Sequence, residues 1–400
     1  MIIPQPNTNL IINADSLTAL KEMPKNSVDS VVTDPPYGLS FMGKKWDYDV
    51  PSVELWKEVF RVLKHGGFLL SFAGTRTYHR MAVNIEDAGF EIRDMISWLY
   101  GSGFPKSLNI GKQIDKIEGN ERKNVREKKQ PLMSNHYGKG LHNERPVKSL
   151  NETKGTSLWE GWGTALKPAC EPIVVARKPL SEKNVASNVL KWGTGGINID
   201  GCRVGDEEMK PQSSGKTSKA FNLNEQQRKS NTGILKENDI SDNIPQKRFP
   251  ANLIHDGSEE VVSKFPDNKS RFFYCAKAGK KERNLGCDEL EEKERKAYAG
   301  AVTSDPRMSH EQNRLPTKNN HPTVKPLKLM QYLVRLVNPK GAICLDPFLG
   351  SGTTACACVK EGMNYIGIER EADYIKIANA RIKAIEDSLT KPYASQEKKK

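Results

Sequence analysis

Apolar and polar positions follow two rhythms along this chain, and both are concentrated towards its two ends. Residues 10–13 (Leu-Ile-Ile-Asn) and 28–33 (Val-Asp-Ser-Val-Val-Thr) are short β-branched runs that predict buried strands. Between them, residues 15–20 predict a helix with Asp15 or Ser16 as its N-cap. Helical spacing returns over 53–63, with Gly66-Gly67 as the expected stop, and Phe68 to Phe72 reads as a strand. A helix over 78–88 and a strand within 90–100 follow. Residues 171–178 predict one more core strand, placed at a sheet edge because Pro172 cannot donate to a ladder. Near the C-terminal end the order is an amphipathic helix over 327–336, a strand at 342–345, a helix at 355–361, a strand at 364–368 and a closing helix at 374–385. Strands alternating with helices predict an α/β fold, a doubly wound and mostly parallel sheet. Ligands collect at the C-terminal strand ends of such a sheet.

Regularity fades between the two ends. Residues 101–167 form a polar, basic, Gly- and Pro-punctuated region with a Lys/Arg-rich run at 121–130. Residues 179–320 read as a long insertion, whose stretches 205–247 and 291–319 are poor in large apolar residues. Ordered islands stand at 248–254 and 271–277; the second sets Phe272, Phe273 and Tyr274 between Arg271 and Lys277, with Phe272 and Tyr274 favoured as core. This divides the chain into 1–178, 179–320, 321–390 and a frayed basic tail, 391–400.

Two strand ends carry the chemistry. Asp34-Pro35-Pro36-Tyr37 follows the run at 28–33, and two consecutive prolines stop a strand and freeze the turn after it. The result is a stiff wall with one carboxylate, free carbonyls and an aromatic face. That wall suits a planar ring bearing an exocyclic amine. Asp346-Pro347-Phe348-Leu349-Gly350-Ser351-Gly352-Thr353-Thr354 follows the strand at 342–345 and opens a helix. A strand, glycine turn and helix start let backbone N–H groups approach a nucleotide-like cofactor. The spacing matches neither the dinucleotide fingerprint nor the phosphate loop. Glu369, at the end of the next strand, is placed to bind ribose hydroxyls.

Together these two strings resemble the amino-methyltransferases that use S-adenosylmethionine. The order, tetrapeptide first and glycine turn last, resembles the permuted β class of DNA amino-methyltransferases. The resemblance implies a Rossmann-like methyltransferase fold with 179–320 as the target-recognition insertion. It implies Asp34, Pro35, Pro36 and Tyr37 as catalytic residues, and Asp346, Phe348, Gly350, Ser351, Gly352, Thr353 and Glu369 as cofactor contacts. Asp15 either caps its helix or accepts from the cofactor's adenine amine. His321-Pro322-Thr323-Val324-Lys325-Pro326 leads into the cofactor motif, so Thr323 and Lys325 are candidate contacts near the methionine end. Gly103 to Lys106 and Gly161 to Ala165 resemble segments recurrent in phage and prophage DNA methylases.

Composition adds the partner. A formal charge of +13 points to a polyanion, and with the motifs that means double-stranded DNA. Lys44, Lys45 and Trp46 in the loop after Tyr37, with Lys106 and Arg271, are the candidate DNA contacts. The seven cysteines are scattered without paired spacing, which argues against structural zinc and for a reducing, cytoplasmic setting; no metal is expected. No run is long enough to cross a bilayer.

The implied reaction is methylation of the 6-amino group of adenine in a base flipped out of the duplex. The 4-amino group of cytosine is the alternative, and a non-catalytic DNA-binding module on the same fold is a second. Methylation at carbon 5 of cytosine would need a Pro-Cys nucleophile, which this chain lacks. A homodimer and a separate cognate restriction nuclease are left open.

Overall fold

A computed structural model describes residues 9–39, 48–101, 103, 107–131, 147–204, 248–264, 272–293 and 317–390. In chain order the elements are β1 (Asn9–Asn13), α1 (Ser16–Lys21), β2 (Val28–Thr33), α2 (Val53–Val62), β3 (Leu63–Phe72), α3 (Tyr78–Asp87) and β4 (Glu91–Leu99). Then come α4 (Ile110–Glu118), β5 (Lys123–Pro131), β6 (Val147–Lys154), β7 (Cys170–Arg177), α5 (Val185–Trp192), β8 (Leu253–His255), α6 (Glu259–Val262), β9 (Phe273–Tyr274) and α7 (Lys280–Arg283). The chain closes with α8 (Leu327–Val337), β10 (Ile343–Asp346), α9 (Thr353–Glu361), β11 (Asn364–Glu369) and α10 (Ala372–Thr390).

Nine strands form one sheet in the order β1-β11-β10-β2-β3-β7-β4-β8-β9. Every neighbouring pair is parallel except β3–β7 and β7–β4. Successive strand residues serve opposite faces: Val31, Leu69 and Val174 join one core with residues of α1, α2 and α3, whereas Val32, Leu70 and Val175 join another with residues of α8, α9 and α10. Burial on both faces explains why these strands read as continuous apolar runs rather than strict alternation. The expected doubly wound α/β architecture is what forms. β5 and β6 pair antiparallel as a separate two-stranded sheet.

Three details depart from the sequence reading, and the first is Tyr274, favoured as core but 48% exposed in β9, where its neighbour Phe273 points inward and stacks on Tyr332. Gly66-Gly67 does not end α2; the chain passes directly into β3 at Leu63, and the glycines lie inside that strand. A Cβ at Gly67 would sit 2.8 Å from the Asp29 carbonyl, so glycine is what permits β2 and β3 to approach there. Nor is the 171–178 strand an edge. It runs between β3 and β4, and Pro172 is tolerated because its ladder with β3 extends only from Ile173 to Arg177. Pro172 lies just outside that ladder, where its carbonyl still accepts from Ala73 N (2.9 Å) and only the return bond from a proline N–H is missing. The short strands β8 and β9, from within 179–320, extend the sheet beyond β4. Among the described residues no helix is long and apolar enough to cross a membrane, and no cluster of three or more His, Cys, Asp or Glu is arranged to hold a metal ion.

Candidate active site

β2 and β10 are adjacent and parallel, with Ser30 opposite Cys344 and Val31 opposite Leu345. Their C-terminal ends therefore deliver Asp34-Pro35-Pro36-Tyr37 and Asp346-Pro347-Phe348 side by side, although the two aspartates stand 312 positions apart in the chain. A cavity of about 520 Å³ opens there. Asp15, Asp34, Pro35, Pro36, Tyr37, Thr323, Lys325, Asp346, Phe348, Gly350, Ser351, Thr353 and Glu369 all line it. Gly352 stands behind the wall: its φ is +77° and a Cβ would meet Ala378 at 2.8 Å. Lys44, Lys45, Trp46, Lys106 and Arg271 lie outside the described residues.

One half of the cavity is built by the glycine turn. Gly350, with φ +53°, has no room for a side chain because a Cβ would lie 2.6 Å from Nε2 of His321. The Gly350 N–H donates to Glu369 Oε2 (2.9 Å) and the Glu371 N–H to Glu369 Oε1 (2.7 Å), fixing that carboxylate at the end of β11. Burial raises the Glu369 pKa, and these backbone donors oppose the rise. Asp15 is the N-cap of α1, accepting from Thr18 N (3.1 Å) and Thr18 Oγ1 (3.3 Å), and it also borders the cavity. His321, half-buried, packs edge-on against Tyr374, and desolvation pushes it down to about 3, so its ring is neutral at physiological pH.

Asp346 was expected to face the cofactor, but its oxygens are taken by the fold. Thr33 Oγ1 donates to Oδ1 (2.6 Å), as does Phe348 N (3.0 Å), while Thr354 Oγ1 donates to Oδ2 (2.6 Å). The Thr33 bond ties the two motifs directly. Because only neutral donors compensate its burial, the carboxyl is pushed up to about 6.

The other half is organised around Asp34. Lys325 Nζ donates to Asp34 Oδ2 (2.6 Å) and the Tyr37 hydroxyl donates to Asp34 Oδ1 (2.7 Å). Lys325 also pairs with Glu171 Oε2 (3.3 Å) and donates to the Tyr37 hydroxyl (3.2 Å), so its ammonium serves the tetrapeptide. The Phe72 and Tyr37 rings lie 4.8 and 5.5 Å from it. Thr77 Oγ1 holds the Tyr37 carbonyl at 2.6 Å. Burial raises the Asp34 pKa, and Lys325 pulls it partly back. Burial also opposes the charge on Lys325, but Asp34 and Glu171 outweigh it and the ammonium stays protonated.

Sequence reasoning missed Glu171, Tyr100 and Arg381. Glu171 and Tyr100 line the cavity, Glu171 on the Asp34 side through Lys325. Arg381, 1% exposed, donates from Nη1 to Ser351 O (2.6 Å), Ser351 Oγ (3.1 Å) and Thr353 Oγ1 (2.9 Å), bracing the glycine turn from beneath. The only signal in the sequence is an acidic residue opening a buried strand, and an arginine on the apolar face of α10.

Comparison with known proteins bears on this geometry. A family model described as DNA methylase, the N6/N4 type, matches residues 28–380. The chain is 23% identical over 420 residues to the Type II methyltransferase M.HindIII of Haemophilus influenzae, covering 93% of this chain and 94% of that one. It is 42% identical over 73 residues to the Type II methyltransferase M.BglI of Bacillus subtilis, 18% of this chain and 21% of the other. Among solved structures, the PvuII DNA methyltransferase (cytosine-N4-specific) aligns with 95% of this chain and 91% of its own at 13% identity, with a TM-score of 0.43.

Proposed function

The chain belongs to the N6/N4 DNA methylase family, and from that premise we propose that it methylates the 6-amino group of adenine in double-stranded DNA, using S-adenosyl-L-methionine. The single observation that carries this reading is the shared cavity: the Asp34 wall and the Gly350 turn border one space on adjacent strand ends. Its volume, about 520 Å³, suits a nucleoside-sized ligand.

The residues fit the cofactor on their own terms. Side-chain-free backbone at Gly350 allows close approach, Phe348 offers an apolar face, and Glu369 and Asp15 offer carboxylates at the rim. The cofactor supplies an activated methyl group, so the chain's work is chiefly to position the acceptor. An aromatic amine is a poor nucleophile because its lone pair is delocalised into the ring. Asp34 and the Pro35 carbonyl accept its two hydrogens and favour a more tetrahedral nitrogen, while Tyr37 supports the ring. As the N–CH₃ bond forms, the nitrogen sheds one proton, and the products are methylamino base and S-adenosylhomocysteine. The amine of a stacked base cannot reach so recessed a wall, so the target is flipped out of the duplex. In this reading 179–320 supplies target recognition, with β8 and β9 docking it to the core sheet.

The acceptors count an exocyclic amine and its two hydrogens, which cytosine also presents; the Asp at the head of the tetrapeptide favours adenine. Labelled methyl transfer to unmethylated duplex DNA, followed by nucleoside digestion and mass spectrometry, tests both levels. N6-methyladenine is expected. N4-methylcytosine alone would overturn the choice of base, and no label in DNA would overturn the reaction.

A further inference from the structure

If Asp34 is to grip an incoming amine, it must first release what it already holds. Both its oxygens are engaged, one by Lys325 and one by the Tyr37 hydroxyl. Stripping a half-buried carboxylate of its cation is costly unless the cation stays close by. Glu171 provides for that. It stands at the start of β7, which runs antiparallel to β3 and β4, so the beginning of β7 lies at the same sheet edge as their ends. Its Oε2 is 3.3 Å from Lys325 Nζ and 3.5 Å from the Tyr37 hydroxyl, the two groups that occupy Asp34.

Resting on the methylase reading above, we propose that Glu171 is a positioning residue: it takes Lys325, and with it the Tyr37 hydroxyl, when the target amine arrives, freeing Asp34 to accept an N–H. Lysine suits such an exchange because its ammonium is a point charge with three donors on a flexible stem. Here those donors already face Asp34, Glu171 and Tyr37, so the transfer needs only small rotations of the last side-chain bonds. No proton moves in the exchange and net charge is conserved: one ammonium and two carboxylates before, the same after. The other ionisable groups facing this cluster are Tyr100 just after β4, Cys170 beside Glu171, Lys277 over the Tyr100 ring, Asp346 from β10, and His321, which is neutral and precedes α8. Tyr100 also bonds Glu171, which keeps that carboxylate oriented towards Lys325.

Single-turnover methyl transfer to duplex DNA, followed across pH for wild type and variants, tests the exchange. Glu171→Gln is expected to bind S-adenosylmethionine as wild type does, yet to react about 10²-fold more slowly. Its acid limb should move to lower pH, because a like charge beside Asp34 is gone. Lys325→Met should move the acid limb the opposite way, since Asp34 loses its cation, and Glu171→Asp should keep the wild-type limb. A Glu171→Gln enzyme with wild-type rate and profile would overturn the proposal. A second arm needs no activity: melting shifts of Glu171→Gln, Lys325→Met and the double variant should be non-additive, since both remove one ion pair. Additive shifts would show that the lysine is not shared. A wild-type protein that labels no DNA would instead sink the methylase reading, whatever the melting cycle gives.

Discussion

Asp34 and Asp346 are a natural controlled pair. Each ends a buried strand, each is followed by proline, each has an aromatic residue within three positions, and the two strands are neighbours in the sheet. Their surroundings differ in one respect. Asp346 is held by two threonine hydroxyls and a backbone N–H, all neutral, and none of the three bonds to a second carboxylate among the described residues. Asp34 is held by a lysine and a tyrosine that both lie near a second carboxylate. The same local signature thus builds a permanent pin in one place and a displaceable grip in the other. What separates them is whether the partner has an alternative within reach.

The comparison breaks most visibly at Asp34. Asp34→Ala is expected to lower methyl transfer by about 10²–10⁴-fold while leaving S-adenosylmethionine affinity within a few fold, read by labelled-methyl incorporation beside calorimetric binding. Normal turnover would remove Asp34 from the chemistry. Asp346→Ala should do the reverse in kind, acting on the fold before the reaction. It leaves the Thr33 and Thr354 hydroxyls and the Phe348 N–H without their acceptor, a loss on the order of 2–4 kcal/mol in urea unfolding. Asp346→Asn sharpens the point through pH. The folded pKa, about 6, lies above the ordinary 3.8, so this group's contribution is full below the lower value and lost as pH rises through the upper. The asparagine variant lacks that loss. Its stability relative to wild type should rise between those two values, by up to about 3 kcal/mol. A flat difference across that window would mean that burial does not tax the charge.

How much of this was legible in the sequence follows from what each feature depends on. The two motifs, their strands and the shared cavity were readable because proline, glycine and β-branched runs act locally. Glu171 was not. Its importance comes from the direction of β7, and periodicity fixes that a strand exists without fixing which way it runs. A glutamate before a proline reads as the ragged start of an edge strand until β7 is seen between β3 and β4. Arg381 was hidden for a related reason, since helical spacing at 374–385 does not tell which of its charges is buried, and only the packed turn shows one of them beneath Ser351 and Thr353. Strands as short as β8 and β9, three and two residues, carry no period at all. Asp346 was read as a ligand because its string resembles a cofactor motif. Such a motif is equally well accounted for by residues that hold the turn in shape.

β7 offers the smallest test of the same idea, because a buried lysine sits at each of its ends. Lys325 meets Glu171 at the start of the strand. Lys178, one residue past its end, donates to Asn26 Oδ1 (2.8 Å) and to the Phe60 and Leu63 carbonyls (2.7 Å each), with the Phe60 ring 4.7 Å away. Carbonyls orient an ammonium but do not neutralise it, and burial, with Arg61 nearby, pushes Lys178 down to about 8 from the ordinary 10.5. The sign is therefore opposite to that for Asp346. A depressed lysine contributes stability above the ordinary value, and the contribution is lost as pH falls through the folded one. Between those limits wild type should lose stability on acidification and Lys178→Met should lose less, so the wild-type urea midpoint should fall relative to the variant's as pH falls. Parallel midpoints would show that carbonyls compensate a buried ammonium as fully as carboxylates do. Lys325 would then need no second carboxylate, and the distinction between pin and grip would have to rest on geometry alone.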